Sequence, residues 1–171
     1  MRRVLITVLA TIIMSGCTGS KPVPAGRLMQ PAGKFSFVTP DGWVRSEVAG
    51  IDFVIVSTEP DGGVNPNIFV EGTPRSGNVR DEAAQMISAK RASVRAYAVL
   101  RQEEFATEAG LRGVKISARR ETKDALPVSL YHFLLQDGDR AIGITCSCAE
   151  TVKQKYEPIF DAAMTSVRSE R

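Results

Sequence analysis

Cysteine and histidine are scarce in this chain: Cys17, Cys146, Cys148 and His132 are the full set. Cys146-Ser147-Cys148 is the arrangement nearest to a reactive or metal-binding one. On a strand, residues two apart face the same way with Cα atoms roughly 6.5–7 Å apart, at or beyond the reach of a disulfide. A metal site would need further soft ligands, and a hairpin tests whether His132 can supply one. With Asp137-Gly138 at the turn, Ser129 faces Cys146, Tyr131 faces Ile144 and Phe133 faces Ile142. The cysteines then share a face with Tyr131, Phe133, Leu135, Ile142 and Ile144, while His132, opposite Gly143, lies on the other. Cys146 and Cys148 therefore read as small buried hydrophobes, with a strained or intermolecular disulfide, or redox or metal work, as the alternatives.

His132 has no nucleophile motif to serve. The chain has no Gly-x-Ser-x-Gly, no His-Glu-x-x-His, and neither a P-loop nor a Gly-x-Gly-x-x-Gly at a strand-to-helix junction. No catalytic residue, metal or cofactor is assigned, and His132 reads as a hydrogen-bonded strand residue. Lys90 falls inside an apolar helical stripe and reads as a snorkelling lysine. Arg119, Arg120 and Lys123 form a small basic tip on the hairpin loop before Pro127. It is either a solvated turn or a partner surface for lipid headgroups or an acidic protein. The loop from Glu59 to Pro66 is a second candidate partner edge, since loops on rigid scaffolds often carry function.

The start of the chain is a processing pattern. Met1-Arg2-Arg3 is positive, Val4 to Met14 is an uncharged run of eleven residues, and Ser15-Gly16-Cys17 follows. Crossing a bilayer takes about 20 apolar residues, so this run fits a secretory signal. Ser15-Gly16-Cys17 resembles the lipobox of bacterial lipoproteins, with Met14 standing where Leu is usual. The resemblance implies cleavage before Cys17, which would carry a diacylglycerol and an N-acyl chain such as palmitate. Each buried methylene contributes about 0.8 kcal/mol, so several chains hold firmly. Thr18 lacks the Asp associated with inner-membrane retention, which favours the outer membrane, facing the periplasm, in a Gram-negative host. Residues 1–16 carry two arginines and no acids, so the chain from Cys17 onward has 20 Lys+Arg against 19 Asp+Glu. A net charge of +1 leaves no electrostatic case for nucleic acid.

These residues need elements to position them. Thr18 to Gly33 holds three prolines and three glycines and reads as a flexible tether, with order expected from Lys34. Phe35–Val38 and the stretch from Trp43 read as strands around a Thr39-Pro40-Asp41-Gly42 turn. Ile51–Ser57 and Asn67–Glu71 add two more. From Val79 to Tyr97 the apolar spacing becomes helical, with Asn78 as cap. Leu100–Ala106, Leu111–Arg120, Val128–Leu135 and Arg140–Cys148 form a second strand group. Val114, Ile116 and Ala118 share one face. The helical period returns from Glu150 to Val167, where Pro158 should kink the helix or start a new one. Two strand groups and two amphipathic helices predict an α+β domain with a mostly antiparallel sheet flanked by the helices.

The order of these elements resembles the family that groups the photosystem protein PsbP, the nuclear Ran-binding protein Mog1 and bacterial lipoproteins. Phe35-Ser36-Phe37-Val38-Thr39-Pro40-Asp41-Gly42-Trp43, Asn67-Ile68-Phe69-Val70, Ile142-Gly143-Ile144-Thr145-Cys146-Ser147 and Tyr156-Glu157-Pro158-Ile159-Phe160 with Ser166 carry it. The resemblance implies an antiparallel sheet between helices and a mostly non-catalytic assembly or binding role. The expected organisation is a signal peptide at 1–16, a lipidated N-terminus and tether at 17–33, and one domain at 34–168. The expected function is a lipid-anchored, non-enzymatic envelope module that binds or assembles another protein. The alternative is a small-ligand or lipid-binding module, which needs an apolar pocket between sheet and helix. An enzyme or thiol redox factor is the third reading.

Overall fold

The computed structural model describes residues 21–22, 26–48, 51–70 and 75–171. Cys17 and residues 1–16, the stretch expected to be a signal peptide, lie outside the described residues. In chain order the elements are β1 (Lys21–Pro22), β2 (Arg27–Gln30), β3 (Phe35–Val38), β4 (Trp43–Val48), β5 (Ile51–Ser57), β6 (Asn67–Val70) and β7 (Arg75–Ser76). Then follow α1 (Val79–Ser93), β8 (Ala98–Ala106), β9 (Arg112–Glu121), β10 (Pro127–Asp137), β11 (Arg140–Ala149), α2 (Lys153–Thr165) and β12 (Arg168–Ser169). The large sheet runs β1-β4-β5-β6-β11-β10-β9-β8, with β7 also on β11, and a small sheet runs β12-β3-β2. The pairings are antiparallel, as hairpin-length connections require for the strands consecutive in sequence, and β6 joins β11 antiparallel across a long crossover.

Period two divides β10 between two packing partners. Leu134 packs with Val79 and Ala83 of α1, together with Ile116 and Ala141. Tyr131, Phe133 and Leu135 pack with Tyr156, Phe160 and Met164 of α2, along with Phe35 and Phe37 of the small sheet. The second cluster is the main core. Phe35, Phe37, Phe53, Phe133, Phe160 and Met164 are all fully buried in it, and they fill the space between sheet and α2.

Four boundaries differ from the sequence reading. Order begins before Lys34: Arg27–Gln30 pairs with β3, and the Arg27 guanidinium donates 2.8 Å to the Ser166 carbonyl oxygen. The prolines and glycines that suggested a tether flank this strand instead of lying in it. Helix α1 stops at Ser93 because Val94 is extended and Ala96 takes a φ of 52°, so Tyr97 leads into β8. The Asn78 side chain caps α1 as expected, accepting from the Arg80 and Asp81 amides. Pro158 does not start a new helix. It lies inside α2, exposed, where its missing N–H leaves only one intrahelical bond unmade. The Asp41-Gly42 turn closes one residue later than expected, with the Trp43 amide donating to Pro40 and Gly42 at φ 75°.

Candidate functional site

The β10–β11 hairpin turns at Gly138-Asp139, so its register is offset by two residues from the expected one. Ser129 faces Cys148, Tyr131 faces Cys146 and His132 faces Thr145. An offset of two preserves faces, and the cysteines remain on the side of Tyr131 and Phe133. Both thiols are free and fully buried. Burial pushes both up, Cys148 to about 12 with the Glu150 and Glu157 carboxylates adding to the shift. Neutral thiols are poor nucleophiles and poor metal ligands, so both behave as packing groups. His132, 1% exposed, places Nδ1 2.7 Å from the Thr145 hydroxyl with its ring beside Tyr97. Among the described residues, no group of three or more His, Cys, Asp and Glu side chains is placed to hold a metal.

The three residues of the basic tip do not point one way. Arg119 and Arg120 are successive on β9, so Arg119 stands beside Ser129 and Arg120 beside Val128 on the opposite face. Burial lowers the Arg120 pKa, while Lys123 is exposed in the following loop. Lys90 is half-buried on α1.

A buried charge that the sequence reading did not single out lies on the α2 side of β9. Lys115 is 4% exposed, directly across from Phe133 on β10 and Glu103 on β8. Its ammonium donates 2.8 Å to Glu157 Oε1 and 2.8 Å to Asp161 Oδ2, and stands over the Tyr131 and Phe133 rings. Glu157 and Asp161 are four apart on α2, so one helix face presents both carboxylates. Burial disfavours the charged lysine, but the hydrogen bonds to Asp161 and Glu157 outweigh it and raise the pKa. A lysine held protonated is neither base nor nucleophile; it clamps α2 to the sheet.

The second feature is open to solvent. The loop after β5 folds back as a two-glycine hairpin, with reciprocal backbone bonds between Asp61 and Val64 and both Gly62 and Gly63 at positive φ. A Cβ on Gly62 would stand 2.6 Å from Ala149 Cβ, so this hairpin is seated against the approach to α2. Seating fixes Asp61, which accepts from Lys155 Nζ at 2.7 Å and from the Tyr156 hydroxyl at 3.2 Å. The bond from Lys155 holds the Asp61 carboxyl below its usual range. Between this hairpin, the Asp41-Gly42-Trp43 turn and α2 lies a depression of about 370 Å³. The structure thus brings Glu59, Pro60 and Asp61 of the candidate partner loop against Trp43 and Tyr156.

No family model matches the chain, and no curated protein matches it in sequence. Solved structures do share its fold. Cyanobacterial PsbP (CyanoP) from Synechocystis sp. PCC 6803 superposes with a TM-score of 0.59 at 18% identity, covering 91% of this chain and 98% of that one. LpqN of Mycobacterium tuberculosis, involved in cell envelope biogenesis, gives 0.56 at 12% identity over 87% and 89%. The Saccharomyces cerevisiae Ran-binding protein Mog1p gives 0.55 at 12% identity over 89% and 96%. An antiparallel sheet with two helices, β11 beside both β6 and β10, and α2 over Tyr131 and Phe133 make this a PsbP/Mog1-like α+β fold.

Proposed function

We propose that this chain is a lipid-anchored, non-enzymatic module of the cell envelope that binds or helps assemble another protein. One observation carries the binding mode. The volume between sheet and α2, where a small-ligand module would keep its pocket, is filled by Phe35, Phe37, Phe53, Phe133, Phe160 and Met164. Binding is left to the outer surface, where protein partners dock. The fold is shared with a Ran-binding protein and with a protein involved in envelope biogenesis, which agrees with such a role. The Glu59–Pro66 loop and the exposed Arg119 and Lys123, without the half-buried Arg120 of the opposite face, are the two surfaces offered. The Ser15-Gly16-Cys17 pattern supplies the anchor at Cys17, outer-membrane in a Gram-negative host.

Two measurements test the reading. Wild type should sediment with membranes at high salt, and Cys17→Ala should be released; retention of Cys17→Ala would refute lipid anchoring. Crosslinking in the cell, followed by mild solubilisation and mass spectrometry, should yield one dominant envelope protein, reduced by charge reversal on one of the two surfaces. A preparation with no partner, together with a bound small molecule in native mass spectrometry, would replace this reading with ligand binding.

A further inference from the structure

The depression at the Asp61 hairpin does not stand alone. A second one, of about 390 Å³, adjoins it, and Asp41 and Trp43 line both. Their chemistry differs. The second is floored by Val38, Pro40, Ile159 and Ala162. Val38 is 42% exposed, a large apolar side chain left open to water on β3. The first carries three carboxylates, Asp41, Glu59 and Asp61, against one cation, Lys155. Asp61 and Lys155 satisfy each other at 2.7 Å. Asp41 and Glu59 are exposed, and among the described residues no cation lies within ion-pair distance of either. An apolar trough therefore continues into a region with two uncompensated negative charges.

We propose that this composite groove receives a segment of a partner protein with a large apolar side chain and a neighbouring lysine or arginine. The apolar side chain lies between Val38 and Ile159, and the cation meets Asp41 and Glu59. The inference rests on the protein-binding reading and adds to it the location and the chemistry of the partner. Charge complementarity selects the occupant: an anionic lipid surface or an acidic peptide would be repelled by Asp41 and Glu59. The clamp of Lys115 on Glu157 and Asp161 keeps α2, which supplies Ile159 and Ala162, in a fixed position, so the groove is preformed.

The test uses the full chain in its own cells, with the photoreactive residue p-benzoylphenylalanine placed at Thr58, an exposed position in the first depression, or at Lys123. The Thr58 probe should form one discrete protein adduct. That adduct should fall at least about fivefold in D41K/E59K and less in D41N/E59Q. Both sites are exposed and, among the described residues, without ion pairs, and circular dichroism checks that each variant folds. The crosslinked peptide of the partner should hold a lysine or arginine next to a large apolar residue. An adduct indifferent to both variants, a crosslinked peptide without that pair, or adducts to lipid alone would overturn the groove. An adduct at Lys123 with none at Thr58 would overturn it while leaving protein binding intact. Silence at both positions would overturn the two readings together.

Discussion

Removing the ammonium of Lys115 while keeping its stem is the sharpest probe of how α2 is held. In Lys115→Met the methylenes still pack between Tyr131 and Phe133, and two charge-assisted bonds are lost. Breaking a fully buried ion pair costs about 3–5 kcal/mol. The partners here are 38% and 39% exposed and can rehydrate, so the loss falls to about 2 kcal/mol. The opposite change is worse. In Glu157→Gln/Asp161→Asn the lysine stays buried with only Glu103, 4.0 Å away, as counter-charge, and about 3 kcal/mol is lost, the low end of that range. The triple variant strands no charge and should return to within about 1 kcal/mol of wild type. Urea unfolding followed by Trp43 fluorescence measures all three, because this sole tryptophan packs against Tyr156 and Phe160 of α2. With a slope of about 2 kcal/mol/M, the Lys115→Met midpoint falls by about 1 M. The pH dependence adds a signature. In wild type the raised Lys115 pKa makes its contribution complete below 10.5 and lost as pH rises through the folded value. In the double variant both hydrogen-bonded carboxylates are gone, burial outweighs the more distant Glu103 and the folded pKa drops, so stability should instead rise with pH towards 10.5. A triple variant as unstable as the sum of its parts, or a double variant milder than Lys115→Met, would refute the clamp.

Three further outcomes follow from single positions. Cys146 and Cys148, measured in a Cys17→Ala background so that no other thiol is present, should be silent to a thiol reagent at pH 8 and both react in denaturant; labelling of either in the native state would contradict their burial. Burial raises the Glu150 carboxyl, but hydrogen bonds from Lys153 and Ser129 bring it below 4.5, so its stabilisation is present above 4.5 and lost as pH falls through the folded value. Glu150→Gln should remove about 1 kcal/mol of that acid-side dependence in melts between pH 3 and 6, and an unchanged profile would rule it out. Gly62→Ala and Gly63→Ala share a left-handed backbone penalty of about 1–2 kcal/mol, but only the former meets Ala149 and Thr151 within 3 Å; thermal melts should show Gly62→Ala as the costlier, and equal losses would mean that the hairpin is not seated there.

The helix and strand order was legible because periods two and 3.6 are strong signals in long elements such as α1 and β9–β11. Face assignment on β10 and β11 survived a wrong turn centre, since an offset of two residues leaves parity intact. The turn moved because Asp137 is not a loop residue. Its carboxylate accepts from Arg140 and Ser169, which draws it into the last pair of the ladder. Lys115 was missed for a different reason. Alternation on β9 marks Val114, Ile116 and Ala118 as the apolar face and so sends Lys115 to water. Only the docking of α2 over the other face reverses that, and docking is tertiary. The available signal was the spacing of Glu157 and Asp161, four apart and so on one face of the helix. Strand β2 was hidden by flanking prolines and glycines, and the groove by its assembly from the 38–43 turn, the 58–61 loop and α2, which no local pattern joins.

Helix α2 shows how one short segment serves three environments. Tyr156, Phe160, Ala163 and Met164 follow spacings of three and four into the aromatic core. Glu157 and Asp161 form the next stripe round the helix and close on Lys115. Lys155, Ile159 and Ala162, again spaced four and three, form the stripe on the other side of the core and line the two depressions. Pro158 falls on none of the three and is exposed, which is why a residue that costs a backbone bond is tolerated there. The stripes are coupled through a single rigid body. The core and the lysine clamp fix the rotation of α2 about its axis, and that rotation decides whether Ile159 and Ala162 face Val38 or turn away from it. Because that spacing comes from packing, a partner of the kind proposed would meet a groove already formed, and the ordering entropy that a disordered site would lose on binding would already be met in the folded domain.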